Sequence, residues 1–410
     1  MRRYDKPLPG TMGSLRIVGS LRIVGSAGPR RPVSGGWSLN RARALSSHQN
    51  NRHGCRLKRF LPLCLPALVL ISACGSRDEP APAPSQAGGS DTLAFADAPG
   101  GGETESADSL IMRAQVALDR LGFSPGVIDG REGQSYKLAL AGFQEARGMT
   151  ATGQLDPATQ GALFQGAGPA ATRLVVIPAA FARGPFVRDL PTRTADQARF
   201  DHLGYRSMTE ALAERFHTTP DALFALNGPN TRLAAGRTVR VPAIANVALA
   251  TIEGDERGWA DTLQRLGVAA DQPKAERIVV DKSQGTLRVY DKQDKLVAQF
   301  PVTTGSSHDP LPLGSWKIKG TSRNPDYQYD PDLFWDANKN DKAKRLAPGP
   351  NGPVGVVWID LSKDHYGIHG TPEPQKIGRT ESHGCVRLTN WDAARLAQMV
   401  HSGTQVLFEA

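Results

Sequence analysis

Residues 76–106, SRDEPAPAPSQAGGSDTLAFADAPGGGETES, divide the chain. Pro, Gly, Ala and Ser dominate this stretch, and it holds too few large apolar side chains to offset the entropy of ordering it. It reads as part of a flexible linker over 74–107. Whatever folds must then lie in the roughly 300 residues that follow, a length that suits two or three domains.

The segment before the linker has a different logic. In RLKRFLPLCLPALVLISACGS, the cations Arg56, Lys58 and Arg59 precede an uncharged, largely apolar run from Phe60 to Ala73. That is the layout of a secretory signal, expected over 51–73. The run falls short of the about 20 residues that span a bilayer, and Pro62 and Pro66 interrupt it. Its end, Ile71 to Cys74, resembles the cleavage box of bacterial lipoproteins. The resemblance implies that Cys74 becomes a lipidated N-terminus in the periplasm of a Gram-negative bacterium. Gly75 in place of an acid favours the outer over the inner membrane. Residues 1–50, with SLRIVG repeated in tandem at 14–19 and 20–25, read as a disordered leader or an over-extended start.

Charge and cysteine usage follow this division. Residues 1–59 hold 13 Lys/Arg against the single acid Asp5, and from residue 74 onward 36 basic residues face 39 acids. The net charge of +9 therefore belongs to the leader, and a nucleic-acid partner is not expected. Of four cysteines, Cys55 and Cys64 fall in the segment expected to be removed and Cys74 is expected to be acylated. Cys385 would remain as an unpaired thiol in an oxidising compartment, the usual mark of a reactive one.

Two accessory regions follow the linker. Ala114, Leu118 and Leu121 share one helical face closed by Gly122; Ala139, Leu140 and Phe143 mark a second helix; Asp156 and Pro157 open a third. The wording ALDRLGF, GVIDG and ALAGFQEARGMTATGQLDPAT resembles the peptidoglycan-binding domain family over 108–168 and implies binding to wall glycan and peptide. Residues 199–245 carry a Ser207–Glu210 capping box, a Thr219–Pro220 helix start and the strand RTVRVP. Together with LN before a Gly and VP at the close, this resembles a LysM module; its opening strand is poorly marked. A plain structural αβ linker domain is the alternative.

Over 276–410 the pattern changes to short alternating strands with one late helix, NWDAARLAQMVHSG, whose Leu396, Met399 and Val400 share a face and whose stop is Gly403. The fold class is thus multidomain: a mostly-β domain preceded by a small three-helix domain and an αβ module. Within the β domain, HYGIHGT at 365–371 is followed by ESHGCVRL at 381–388. A cysteine acting in acyl transfer needs a base, a group that orients the base, and donors for the developing oxyanion. Both His369 and His383 are candidates for the base, and Gly384 allows close backbone approach. Zinc would need about four ligands, which this spacing does not supply; covalent haem would need C-x-x-C-H, which is missing. A buried inert thiol with structural histidines is the bland alternative, and His365, Tyr366 and Trp358 read as wall residues.

IHGT, ten residues, then SHGCVRL resembles the signature of the L,D-transpeptidases, the YkuD-type catalytic domain. The resemblance implies that Cys385 is the nucleophile, that His369 accepts and donates the proton, and that the Gly370 backbone carbonyl orients His369. It also implies that Ser382, His383 and Gly384 shape the nucleophile loop. Arg387 stands where many members have Asn and suits a substrate carboxylate. PLPLGSW departs from the family's Thr-Pro before that Gly, which would alter the cleft wall.

No cofactor and no metal are implied. The implied reaction breaks the bond between residues 3 and 4 of a wall stem tetrapeptide, releases the terminal D-Ala, and passes the acyl group to an amine. The amine would come from a second stem in a 3→3 cross-link, from a free D-amino acid, or from a lipoprotein acceptor. Alternatives are an L,D-carboxypeptidase using the same site and a non-catalytic lipoprotein that tethers membrane to wall.

Overall fold

The computed structural model describes residues 92–99, 107–166, 168–247, 256–335, 337, 338 and 340–410. The expected leader, signal peptide and lipidated Cys74 lie outside these residues.

Three helices build the first compact region: α1 (Ala107–Arg120), α2 (Gln134–Ala146) and α3 (Pro157–Leu163). Their inward residues Ala114, Leu118, Ala139, Leu140, Phe143 and Leu163 form one buried cluster. Asp156 caps α3 as expected, its carboxylate accepting from the Thr159 N–H at 2.8 Å. The exception is Leu121, which lies 38% exposed because α1 has already ended at Arg120.

The second region is a three-stranded sheet with helices on it. Its strands are β1 (Ala96–Asp97), β2 (Thr172–Val176) and β3 (Thr238–Pro242), in the order β1-β2-β3, all antiparallel. Between β2 and β3 lie the short helices α4 (Ala179–Ala182) and α5 (Thr194–Gln197), then α6 (Met208–Arg215) and α7 (Pro220–Asn227). Two expectations are corrected here. The strand that opens this module is β2, upstream of residue 199, because its pairing with β3 joins residues far apart in sequence and leaves no local signal. The linker is not uniformly structureless either. Phe95 is fully buried against Phe181 and Phe216, ring centroids 5.0 and 5.1 Å away, and Asn246 bonds its N–H and C=O at 3.2 and 2.6 Å. A single large aromatic supplies enough apolar area to order a short polar stretch.

The remaining chain forms the largest region. It opens with α8 (Trp259–Leu266) and continues through β4 (Arg277–Asp281), β5 (Thr286–Tyr290), β6 (Leu296–Pro301) and β7 (Gly314–Arg323). The hairpin strands β8 (Tyr327–Tyr329) and β9 (Lys344–Leu346) follow, then β10 (Val357–Leu361), β11 (Gly367–His369), β12 (Val386–Arg387), α9 (Asn390–Met399) and β13 (Gln405–Glu409). Eight strands form one sheet in the order β12-β11-β10-β7-β13-β4-β5-β6. The sheet curls toward closure, since Thr303 just beyond β6 bridges Arg387 on β12. Alternating side chains such as Ile278, Val280, Leu287 and Val289 point into the core between sheet and helices.

The three regions are packed into one body. Phe123, just after α1, pairs with Gln299 on the edge strand β6, and Ser124 N–H donates to the Gln299 carbonyl at 2.8 Å. The three-helix domain thereby covers a sheet edge that would otherwise be open to other strands. On α9, Arg395 donates twice to Asp119 of α1 at 3.0 and 2.7 Å, and Asn390 donates to Glu214 of α6 at 3.0 Å. Every residue of α9 is consequently buried, not only the apolar face read from its spacing. The helix ends at Met399, ahead of Gly403.

Candidate active site

β11 and β12 run parallel, with Ile368 opposite Val386 and His369 opposite Arg387. Cys385 immediately precedes β12. This pairing, made possible by the loop between the two strands, brings His369 and Cys385 to the wall of one cavity of about 740 Å³. His383, Arg387, Trp358 and Tyr366 line the same cavity.

His369 is 5% exposed, and its Nδ1 lies 2.7 Å from the Gly370 carbonyl oxygen. A carbonyl only accepts, so Nδ1 carries the proton in the neutral ring and Nε2 keeps the lone pair. Trp358 stacks on the imidazole, centroids 5.6 Å apart and planes 21° off parallel. Burial, assisted by the Arg387 charge, pulls the His369 pKa down to about 3. The ring is therefore in its neutral form at ordinary pH.

The thiol is held neutral as well. Burial pushes the Cys385 thiol up, partly offset by the Gly367 N–H and by Arg387. Cys385 Sγ lies 3.9 Å from the His365 carbonyl oxygen. The cavity thus holds a neutral thiol and a neutral imidazole, not a thiolate–imidazolium ion pair.

The loop around the thiol is pinned at several points. Ser382 Oγ donates to the Cys385 carbonyl at 2.5 Å, and Ser382 N–H donates to the Thr304 carbonyl at 3.0 Å. Gly384 has φ +100°, and a Cβ there would sit 2.7 Å from Tyr366 Cε1, so both conformation and space require glycine. His383 packs edge-on to Phe334, centroids 5.2 Å apart. Its place beside the hairpin loop fits a loop-shaping part better than that of a base. Arg387 lines the cavity wall, and burial lowers its pKa, opposed in part by the Glu373 carboxylate.

Some of the cavity wall comes from residues that sequence reasoning did not single out. The β8–β9 hairpin contributes Tyr327, whose hydroxyl burial pushes up to about 12, together with Tyr329 and Phe334. Arg193, Thr194 and Ala195 reach the same cavity from the αβ module. That module segment grips the hairpin: Arg193 pairs with Asp341, Lys344 Nζ donates to the Ala195 carbonyl at 3.1 Å, and Leu190, Leu203, Tyr329 and Leu346 share a buried cluster. Leu203 N–H also donates to the Pro348 carbonyl at 2.9 Å. No local pattern in 187–203 announces this role, because each contact crosses more than a hundred residues. By contrast, Asp309, just upstream of PLPLG, lines the cavity while Leu311 packs in the core.

Residues 275–407 match the family model described as "L,D-transpeptidase catalytic domain", and residues 108–163 match the one described as "Putative peptidoglycan binding domain". The chain is similar to two proteins named "Putative L,D-transpeptidase YkuD". With that of Bacillus licheniformis it is 32% identical over 199 residues, covering 48% of this chain and 90% of the relative. With that of Bacillus subtilis it is 33% identical over 113 residues, covering 28% and 54%. Among solved structures it matches an L,D-transpeptidase from Mycobacterium smegmatis at 19% identity and TM-score 0.27, over 33% of this chain and 59% of the other.

Proposed function

The chain belongs to the L,D-transpeptidase family, and from that premise we propose that it transfers the acyl group of a wall stem tetrapeptide through a thioester on Cys385. Its peptidoglycan-binding domain names the wall as partner. The observation that carries the chemistry is the shared cavity of Cys385 and a neutral His369 whose Nδ1–H is tied to Gly370.

The cycle balances on these two groups. His369 Nε2 takes the thiol proton as Sγ attacks the carbonyl between residues 3 and 4. The C–N bond breaks, the proton passes to the leaving amine, and D-Ala departs. An acceptor amine then attacks the thioester, gives a proton to His369, and the thiolate recovers it. Arg387 supplies a fixed positive charge for a substrate carboxylate. A stem side chain as acceptor yields a 3→3 cross-link, a D-amino acid yields exchange at position 4, and a lipoprotein amine yields anchoring.

Full-length protein incubated with tetrapeptide muropeptides, with and without an amine acceptor, tests the reading by mass spectrometry. A covalent adduct on Cys385, lost in Cys385→Ala, with acceptor-dependent product supports it. Tripeptide formed at the same rate whether or not an amine is present would favour the carboxypeptidase instead, and wall binding without any turnover would favour a purely tethering protein.

Two further parts of the reading rest on sequence. Cleavage before Cys74 and its lipidation would place the enzyme in the periplasm on a membrane anchor; metabolic labelling with a fatty-acid analogue, abolished by Cys74→Ser, tests this. The antiparallel pairing of β2 with β3, with α6 and α7 between them in the chain, supports the LysM-like reading of the module; the short helices α4 and α5 are an insertion between β2 and α6 that this reading must accommodate. Binding of soluble glycan chains to the full-length protein, compared with and without substitutions in α6 and α7, tests that reading.

A further inference from the structure

Trp335 is 64% exposed, more than any other large hydrophobic residue among those described, and Leu333 two positions earlier is 54% exposed. Single exposed apolar side chains are common and mean little. This pair is different, because both belong to the loop of the β8–β9 hairpin that flanks the thiol. Leu333 lines the cavity containing Cys385, and the Trp335 ring lies 6.3 Å from that of His383 in the nucleophile loop.

The indole is also fixed. Its Nε1–H donates to Asp309 Oδ2 at 2.9 Å, and His308 packs against it at 67°, centroids 4.6 Å apart. A tryptophan that satisfies its one polar group and still presents most of its surface to solvent is a preformed platform. What could cover it is limited by its neighbours. An aliphatic partner would desolvate Asp309 and His308 without pairing them, at a cost. A pyranose ring would lay its C–H face on the indole and offer hydroxyls to the carboxylate and imidazole at its edge.

We propose that Trp335, with His308 and Asp309, is a saccharide subsite that holds the sugar carried by the donor stem peptide. The inference rests on the transpeptidase reading for the identity of that peptide, but not on turnover. The indole sits beside the nucleophile loop, and the proposal requires the sugar end of a peptide seated in the cavity to leave on this side.

The test is a binding measurement on full-length Cys385→Ala protein, which cannot turn over. Two ligands are compared by calorimetry: the free tetrapeptide, and the same tetrapeptide linked to its disaccharide. The sugar-bearing ligand is expected to bind up to about tenfold more tightly, the scale of one aromatic stacking contact. Adding Trp335→Ala should bring that ratio close to one, and Trp335→Phe, which keeps an aromatic face, should retain most of it. Equal affinities before any change at Trp335, or a ratio that survives Trp335→Ala, would overturn the subsite. So would a loss of affinity for both ligands by the same factor, since that would make Trp335 part of the hairpin's packing. Turnover of the free tetrapeptide by unmodified protein reports separately on the transpeptidase reading.

Discussion

His369 and Arg387 are register partners across the parallel strands β11 and β12, so a guanidinium neighbours the strand position that holds the buried imidazole. Burial sets the state of the imidazole, lowering its pKa to about 3, and the neighbouring cation adds to the effect. A histidine lowered this far keeps its base form at every pH well above that value. The base is lost only as pH falls through about 3.

The rate of thioester formation should accordingly show no acid limb near about 6.5, the ordinary imidazole value. Single-turnover acylation followed by mass spectrometry across that range checks this. In Arg387→Gln the depressing charge is gone, and the acid limb should move upward. A profile with the ordinary limb in unmodified protein would contradict the neutral, buried base.

The thiol makes a second prediction. Because burial holds Cys385 protonated, alkylation by iodoacetamide should be slow near neutral pH and keep rising beyond about 8.5, the free-thiol value. His369→Gln should leave that alkylation curve largely in place while slowing acyl transfer by about 10²–10⁴, the usual worth of a positioned base. An early plateau in alkylation would indicate a resting thiolate.

Asp119 and Arg395 join the three-helix domain to α9 through two hydrogen bonds, both groups buried. Removing one partner leaves the other buried charge with a weaker contact only, His217 at 3.1 Å for Asp119 and Asp392 at 3.7 Å for Arg395, so Asp119→Asn or Arg395→Met should each cost up to about 3–5 kcal/mol in urea unfolding. The double variant should cost less than the sum of the two, because it strands neither charge. Additive losses would argue that the pair contributes little as a unit.

The grip of the αβ module on the β8–β9 hairpin is testable in the same way. Leu203 is fully buried against Tyr329 and Leu346, and Leu203→Ala should cost about 2–5 kcal/mol. Arg193→Ala, at the cavity rim, should raise KM severalfold with little change in kcat, since it loosens a wall rather than the reacting groups. A fall in kcat with unchanged KM would refute that division.

How much of this was legible in the sequence depends on how local each signal is. The IHG and SHGC segments each mark a candidate reacting group by a short local motif, sixteen positions apart in the chain, and the alternation in RIVVDKSQGTLRVYD displays the β4–β5 hairpin. The caps at Asp156 and Thr219 are equally local, and both are seen. What escaped has a long-range cause. Phe95 looks like a stray aromatic in a linker until Phe181 and Phe216 enclose it. Polar Asn390 and Arg395 on α9 gain carboxylate partners at hydrogen-bond distance when α6 and α1 arrive. The capping box at Ser207 is half formed: its hydroxyl accepts from Glu210 N–H at 3.2 Å, but the Glu210 carboxylate turns to Arg206 N–H. Glu210 also accepts from Asn351 at 3.2 Å, so tertiary contact redirects a local motif.

The seam between Phe123 and Gln299 bears on how the enzyme would meet a polymer. A binding domain on a loose linker raises the local concentration of every site within reach. One locked to the edge of the catalytic sheet offers a single span, so effective concentration is high only for stem peptides at that spacing from the anchoring point. The fold would then act as a gauge, sampling the wall at fixed intervals instead of searching it.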